Sequence, residues 1–352
     1  RATEHIGEII ALVSTLVEKG HAYATPDGDV YFSVRSFPGY GKLSGQNIDD
    51  LENGARVDPD EAKRDPLDFA LWKAEKPGEP SWDSPWGKGR PGWHIECSAM
   101  SMSILGETFD IHGGGQDLIF PHHENEIAQS EAATGHPFAR YWMHNGYINV
   151  DNQKMSKSLN NFFTVRDIAK EFDLEAVRMF MLGVQYRNPV NFSRDLILQA
   201  QTALERLRTA KERLGEAKLA PAPTAEDAAF LTQLADYKTR FNDAMDDDLN
   251  TADAIGVLFD FARAANTFVT EPRGKEAVEA GKALFDELTG VLGLLTHEKT
   301  EEFPAEATAL LEERQAARKA KNFARADEIR DALKDMGFTV EDTANGPKLK
   351  KI

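Results

Sequence analysis

The chain has 352 residues, of which 41% are hydrophobic and 28% charged, and its formal net charge is −17. This length predicts roughly two or three domains with ample core, and the lack of any apolar run of about eighteen residues excludes a transmembrane helix. The single cysteine excludes a disulfide framework and is typical of a reducing cytosol. The acidic balance by itself argues against a nucleic-acid-binding protein.

The N-terminal region combines one clear helix with irregular sequence. Apolar residues recur at helical spacing over 3–19 and stop at Gly20, which predicts an amphipathic helix rather than a signal peptide. A short strand is predicted over 30–34, after an Asp-Gly turn. Residues 37–90 are rich in Gly, Pro and Trp and have weak periodicity, which indicates an irregular insert with a few short strands.

The next region alternates between strand and helix patterns. The predicted elements are a helix over 98–105, a strand over 109–111, a helix over 121–133 and a strand over 147–150. Such alternation predicts a parallel sheet, whose ligands bind beyond the carboxyl ends of the strands. A glycine run at 113–115 and a lysine-containing loop after Val150 both follow predicted strands, so we expect ligand-binding loops at both places.

After Thr164 the pattern is almost wholly helical. Helices are predicted over 165–171, 174–185, 196–214, 225–245, 251–270 and 275–295. The Pro-Ala-Pro segment at 221–223 indicates a linker, and Thr251 is a candidate helix cap. Consecutive amphipathic helices of this kind predict a helix bundle.

The C-terminal tail differs from the rest of the chain in its charge. Two helices are predicted over 304–336 and a strand over 337–340. Residues 304–352 hold ten Lys/Arg and nine Asp/Glu, so the tail is about +1 and the other 303 residues are about −18. Because screening limits the reach of distant charges to about 8–10 Å, a local basic face can still bind phosphates on an acidic protein.

Three residues have the types and spacing of a metal site. Cys97 is the only cysteine, and His122 and Glu126 would lie on one helix face because they are four residues apart. A thiolate, an imidazole and a carboxylate form a donor set that zinc binds in tetrahedral array. The same residues also fit a buried core cysteine and a solvated helix face, and spacing alone leaves both interpretations open.

The sequence Lys-Met-Ser-Lys-Ser at 154–158 places two lysines three residues apart. Lysine is a point charge with three donors, which suits phosphate oxygens, although a solvated lysine pair is also common. This segment resembles the signature loop of class I aminoacyl-tRNA synthetases. The sequences Gly-Trp-His-Ile-Glu-Cys at 92–97 and Phe-Pro-His-His-Glu-Asn-Glu at 120–126 resemble the cysteinyl-tRNA synthetases in particular, and the resemblance extends from about residue 2 to 349.

The resemblance implies an α/β fold. It would comprise the C-terminal half of a Rossmann-like parallel-sheet catalytic domain with an insert, then an α-helical bundle and a small α+β module. The implied domains are a connective insert at 1–90, the second catalytic half with the lysine loop at 91–164, a tRNA-binding helical bundle at 165–300 and an anticodon-binding module at 301–352.

The resemblance also implies an ATP-dependent ligase that joins cysteine to tRNA(Cys) through a cysteinyl-adenylate. Mg²⁺ would accompany the ATP, and one zinc ion would bind the thiolate of the substrate cysteine. Cys97, His122 and Glu126 match three protein ligands of that zinc, and Trp93 would lie against the substrate cysteine. A cytoplasmic monomer without a membrane partner is expected.

The adenylate site is implied by two further segments. Lys154 and Lys157 of the loop would be catalytic, and Lys157 matches the lysine that binds ATP, where positive charge stabilises the phosphates in the transition state. Gly113, Gly114 and Asp117 would form the nucleoside part of the site, because glycine keeps no side chain between backbone and ligand and a carboxylate accepts ribose hydroxyls.

The sequence departs from the family pattern in two ways. The lysine loop continues Leu-Asn-Asn at 159–161 where Leu-Gly-Asn is usual, although asparagine tolerates positive φ. A His-x-Gly-His signature and a second cysteine, the expected fourth zinc ligand, do not occur in the sequence. We therefore expect a chain that starts inside the insert, lacks the first catalytic half and is inactive alone.

Two alternatives remain open. The first is a ligase that joins cysteine to an amino sugar in mycothiol synthesis, which shares the zinc and lysine motifs but needs no anticodon module. The second is a non-catalytic tRNA- or zinc-binding fragment, which the missing signature favours.

Overall fold

The computed structural model describes residues 1–48, 63–155, 161, 163–296, 303–343 and 346–351. The chain divides into two compact units, Arg1–Asn149 with Tyr186–Asn191 and Val150–Gln185 with Phe192–Ile352. Among the described residues, no helix has both the length and the apolar character required to cross a membrane.

The first unit opens with helix α1, Ile6–Glu18, and a four-stranded antiparallel sheet. In the order of pairing the strands are β1 Ala22–Ala24, β2 Val30–Phe32, β3 Phe69–Ala74 and β4 Gly89–Pro91. Helix α1 buries Ile9, Val13 and Leu16 completely, because these apolar residues recur every three or four positions. Strand β2 is shorter than predicted, since a 3₁₀ turn begins at Val34. Residues 49–62 of the predicted insert lie outside the described residues.

Two parallel strands, β5 Phe109–Gly115 and β6 Ala139–Asn145, form a second sheet in this unit. The parallel pairing confirms the sequence prediction of a parallel sheet. The glycine run belongs to β5 itself, so the prediction of a glycine loop after the strand was wrong. Strand β6 was not predicted, because its side chains do not alternate between apolar and polar.

Helix α2, Trp93–Leu105, packs against α1 and against helix α3, Glu124–Thr134. Helix α2 starts five residues before its predicted start at 98. The predicted start of α3 at Pro121 was wrong: residues Ile119–His123 form a π-helical turn in which Phe120 has extended backbone angles, φ −136° and ψ 133°. The residue before a proline is biased towards extended conformations, which explains why the regular helix begins later.

The second unit is a helix bundle, as predicted. Short strands β7 Ile148–Val150, β8 Gln153–Lys154 and β9 Val190–Phe192 lie where the chain passes between the units. The helices are α4 Val165–Ile168, α5 Leu174–Leu182, α6 Arg194–Gly215, α7 Ala225–Asp246, α8 Thr251–Phe268 and α9 Lys275–Leu292. Their apolar faces meet around Phe241, Phe261 and Phe285, all at most 2% exposed.

Several local predictions in the bundle were wrong. Helices α4, α5 and α9 each end three residues before the predicted 171, 185 and 295. The cap of α8 is Asn250, whose side chain accepts a hydrogen bond from the Asp253 N–H. The predicted cap, Thr251, is the first helical residue, and its hydroxyl donates to the Leu182 carbonyl at 2.7 Å.

The tail forms helices α10, Ala305–Lys319, and α11, Phe323–Asp335, followed by a hairpin of β10 Phe338–Thr343 and β11 Gly346–Lys351. It has a small core of its own around Ala307, Ile329 and Leu333. The strand after the two helices was predicted, whereas its partner β11 was not, since five of its six residues are glycine, proline or lysine, which have low strand propensity.

Candidate active site

Three predicted metal ligands converge in the first unit. Cys97 comes from α2, one turn after Trp93, His122 from the π-helical turn and Glu126 from the first turn of α3. One sulfur, one ring nitrogen and one carboxylate oxygen of these residues all lie within 4.8 Å of one another. His122 is 6% and Glu126 1% exposed. Buried groups of this polarity are rare unless they are paired or bind a metal.

The donor atoms fit a tetrahedral zinc site. The Glu126 oxygens lie 2.8 Å from His122 Nε2 and 3.1 Å from His112 Nε2. Within the described residues, neither buried oxygen accepts a well-aligned hydrogen bond, although each lies within ion-pair distance of an imidazole. Ligand atoms around a tetrahedral zinc stand about 3.3–3.8 Å apart, given bonds of about 2.0–2.3 Å, so the 2.8 Å separation of Glu126 and His122 would widen by about half an ångström around such an ion.

Without a metal, the electrostatics of the site favour the ionised forms of both Glu126 and His122. Burial alone would raise the pKa of Glu126, but the imidazoles of His112 and His122 outweigh it and lower that pKa to about 2. Burial would lower the pKa of His122, but its contacts with Cys97 and Glu126 raise it to about 9. A bound metal requires the neutral imidazole, so metal binding at neutral pH would displace a proton from His122.

A group of further histidines surrounds the three donors, and the sequence analysis gave it no function. His112, at the middle of β5, forms a second donor set within 4.8 Å with His123 and Glu126. His94 and His122 are joined by a hydrogen bond between their Nδ1 atoms at 2.8 Å. Burial lowers the pKa of both His94 and His123 to about 4, so these two rings are neutral at pH 7. Four of the nine histidines thus surround one carboxylate, a clustering that only the fold reveals.

Trp93 presents an exposed aromatic surface beside the donors. Its side chain is 65% exposed, and its ring centre lies 4.8 Å from that of His122. A large apolar ring at the surface next to polar donors is the arrangement expected of a substrate contact.

The residues predicted to bind the nucleoside lie on β5 and in the turn after it. A Cβ at Gly114 would lie 2.8 Å from His123 Cε1, so this glycine makes room for the histidine group. A Cβ at Gly113 would meet nothing closer than the Met143 carbonyl oxygen at 3.6 Å. Asp117 belongs to a 3₁₀ turn directly beyond the carboxyl end of β5. Of these three residues, Asp117 therefore has the position most typical of a ligand contact in a parallel sheet.

The structure describes only part of the predicted lysine loop. Lys154 ends β8 in the second unit, and residues 156–160, with Lys157, lie outside the described residues. The structure thus brings together Trp93, Cys97, His122 and Glu126, and the roles of the loop lysines stay predictions.

The fold and the site belong to a known class of enzyme. Residues 1–202 match the model of the class I (C) tRNA synthetase catalytic domain. Residues 240–296 match a DALR domain, and residues 300–346 match the anticodon-binding domain of cysteinyl-tRNA ligases. These matches confirm the predicted α/β fold class.

Two curated relatives show the particular family. A cysteine–tRNA ligase from Caldicellulosiruptor saccharolyticus is 57% identical and one from Clostridioides difficile is 53% identical. Each match covers 100% of this chain and 76% of the relative. The chain therefore belongs to the cysteine–tRNA ligase family, whose members are aminoacyl-tRNA ligases.

Solved structures show the same fold at low sequence identity. A methionyl-tRNA synthetase from Mycobacterium tuberculosis, in complex with methionyl-adenylate, has a TM-score of 0.51 at 16% identity, over 83% of this chain and 72% of that chain. A provisionally assigned arginyl-tRNA synthetase from Campylobacter jejuni has a TM-score of 0.56 at 13% identity, over 85% of this chain. The chain spans 63% of that second structure.

Proposed function

We propose that the protein activates cysteine with ATP and transfers it to tRNA(Cys), and that zinc held by Cys97, His122 and Glu126 selects the substrate. The observation that carries the proposal is the convergence of these three donors beside the exposed Trp93 ring. When bound, zinc would supply a soft Lewis acid that prefers a thiolate to a hydroxyl.

The chain's own residues would position cysteine at this site. Trp93 offers an apolar face against which the short side chain can pack, and burial of about 50 Å² there would contribute about 1 kcal/mol. His94 and His112 each lie against a donor residue, His94 against His122 and His112 against Glu126. Through these contacts they hold the orientation of the donors, as partners of metal ligands generally do.

The adenylation step would use the loop lysines. Attack on the α-phosphorus releases pyrophosphate, so negative charge builds up between the α and β groups. Lys154 and Lys157 would stabilise that charge, with Mg²⁺ bound to the phosphates, and Gly113, Gly114 and Asp117 would hold the nucleoside.

The second unit supports tRNA as the acceptor. The helical bundle, 165–300 in the predicted division, would hold the tRNA, and the module at 301–352 would bind its anticodon. Phe323 at the start of α11 is 62% exposed, and Lys319 and Lys321 precede it closely in sequence. Exposed aromatic rings near basic side chains stack on unpaired bases, as in an anticodon loop. An amino-sugar ligase has no use for such a surface. We further expect a cytoplasmic monomer.

Cysteine-dependent ATP–pyrophosphate exchange by the whole protein tests the activation step. A comparison of cysteine transfer to tRNA(Cys) with transfer to an amino sugar tests the identity of the acceptor. Trp93→Ala should raise KM for cysteine by about fivefold, in line with the lost apolar contact of about 1 kcal/mol. Ile104→Ala, an equally exposed apolar residue at 68% on the same helix, is the matched control and should leave KM unchanged. Exchange without tRNA charging, or equal effects of the two variants, would contradict the proposal.

A further inference from the structure

The second unit contains a cavity that the proposed reaction does not use. It has a volume of about 470 Å³ and lies among β7, β9, α4 and the start of α6. Val150, Asp151 and Phe163 are among the residues that line it. The first two precede the lysine loop in sequence, and Phe163 follows it. The volume lies within the range of about 300–1,000 Å³ that is typical of small-molecule sites.

Three phenylalanines give the cavity its apolar wall. Phe163 and Phe192 stand with ring centres 4.4 Å apart, and Phe172 forms another part of the wall. All three rings are half-buried, so each keeps a surface towards the cavity. Flat aromatic groups bind such surfaces by offset or edge contacts between rings.

The charges around these rings select the sign of a ligand. Among the lining residues that the structure describes, four carboxylates and one guanidinium give a formal charge of −3. The carboxylates are Asp151, Asp167, Glu171 and Asp195, and the guanidinium is that of Arg194. Glu171 is paired with Arg194, and Asp167 with Lys170 at 2.9 Å. Asp151 and Asp195 form no ion pair with any cation in the part of the chain that the structure describes.

The protein already places one cation on this wall. The Arg194 guanidinium carbon lies 5.9 Å from the centre of the Phe172 ring, within the range of a cation–π contact. A positive group is therefore stable against these rings, even though the N-terminal end of α6 repels cations weakly. Asp195, in the first turn of α6, offsets that repulsion.

From this lining we propose that the cavity is a binding site for a small arylalkyl amine, an aromatic ring that carries one ammonium group. The ring would pack among Phe163, Phe172 and Phe192, and the ammonium would lie near Asp151 and Asp195.

Three probes with the same ring and different charges test the binding. We expect phenethylamine to bind the chain with a Kd of about 1 mM, the range for nine heavy atoms at ordinary ligand efficiency. The neutral 2-phenylethanol should bind about fivefold more weakly, and phenylacetate more weakly still. Ligand-observed NMR titration measures all three. Failure of phenethylamine to bind, or tighter binding of phenylacetate, would overturn the proposal.

Variants of the lining carboxylates test whether the ligand binds in the cavity. In Asp151→Asn/Asp195→Asn, both side chains being exposed, the preference for the amine over the alcohol should fall to about twofold or less. The control Asp243→Asn/Asp246→Asn makes the same change in net charge on exposed positions of α7 and should keep the fivefold preference. Equal loss in both pairs of variants would show non-specific charge attraction and refute the site.

Discussion

The ion pair of Glu126 and His122 in the candidate metal site should stabilise the metal-free protein against unfolding over a limited range of pH. Glu126→Gln removes the carboxylate while keeping its shape, and so leaves His122 without its anionic partner at 2.8 Å. The perturbation is sharp because Glu126 is 1% exposed, so water cannot replace the lost interaction.

The magnitude follows from the pKa shift. The pKa of Glu126 falls from 4.5 to about 2 in the folded protein, and a shift of that size corresponds to about 3 kcal/mol. The pKa of His122 rises from 6.5 to about 9 through its contacts with Cys97 and Glu126, and the part due to Glu126 is the same coupled interaction, which is not added again.

The two shifts set the limits of the window. Because the carboxyl pKa is depressed, its contribution is present above pH 4.5 and is lost as the pH falls towards 2. Because the imidazole pKa is raised, its contribution is full below pH 6.5 and is lost as the pH rises through 9. The difference between wild type and Glu126→Gln should therefore be largest, at about 3 kcal/mol, between pH 4.5 and 6.5.

Tryptophan fluorescence during urea unfolding of the chelator-treated protein measures this difference. All five tryptophans lie in the first unit, between residues 72 and 142, so the signal reports on that unit. Glu107→Gln is the matched control, because Glu107 lies 3.7 Å from His136 but is 62% exposed, and such pairs contribute at most about 1 kcal/mol. Equal losses in the two variants at pH 6, or a loss for Glu126→Gln that does not change between pH 3 and 9, would refute the reasoning.

Three further predictions concern the metal, the loop and the tail. Cys97→Ala should lower the zinc content measured by atomic absorption, and undiminished zinc would show that Cys97 is not a ligand. Lys157→Ala should lower the kcat of pyrophosphate exchange by about 10²–10³-fold while KM for cysteine changes little, and an unchanged kcat would exclude a catalytic lysine loop. Phe323→Ala should weaken tRNA charging by about five- to a hundredfold, the loss of one base–aromatic stack, while cysteine activation stays intact; a parallel loss of both would indicate a folding role.

The sequence predicted best what depends on local periodicity. The long amphipathic helices of the bundle were placed within a few residues of their observed bounds, because apolar side chains every three or four positions leave one consistent buried face. A parallel sheet was predicted from the alternation of strand and helix, but the predicted strand at 147–150 pairs with β8 and β9 and not with β5. Strand β6 escaped prediction because its residues do not alternate, and its pairing with β5 depends on contacts distant in sequence.

The candidate site was predicted from residue types, whereas its surroundings were not. Cys97, His122 and Glu126 are found together although His122 lies in a π-helical turn and not on the expected regular helix. His112 could not be placed from spacing, since it comes from β5 and approaches Glu126 only in the folded chain. Gly114 is also on β5, and its missing side chain makes room for His123.

The ratio of kcat/KM for activation of cysteine and of serine, with zinc bound and after zinc removal, tests the central claim most directly. The two substrates differ by one atom, and pocket shape alone gives discrimination of only about 10–200-fold. With zinc held by Cys97, His122 and Glu126, the ratio should reach about 10⁴ or more, and in zinc-depleted protein or in Glu126→Gln any residual activity should show a ratio within the range for shape alone. A ratio that stays unchanged after zinc is lost, while activity remains, would contradict the account and would place selection in the pocket around Trp93.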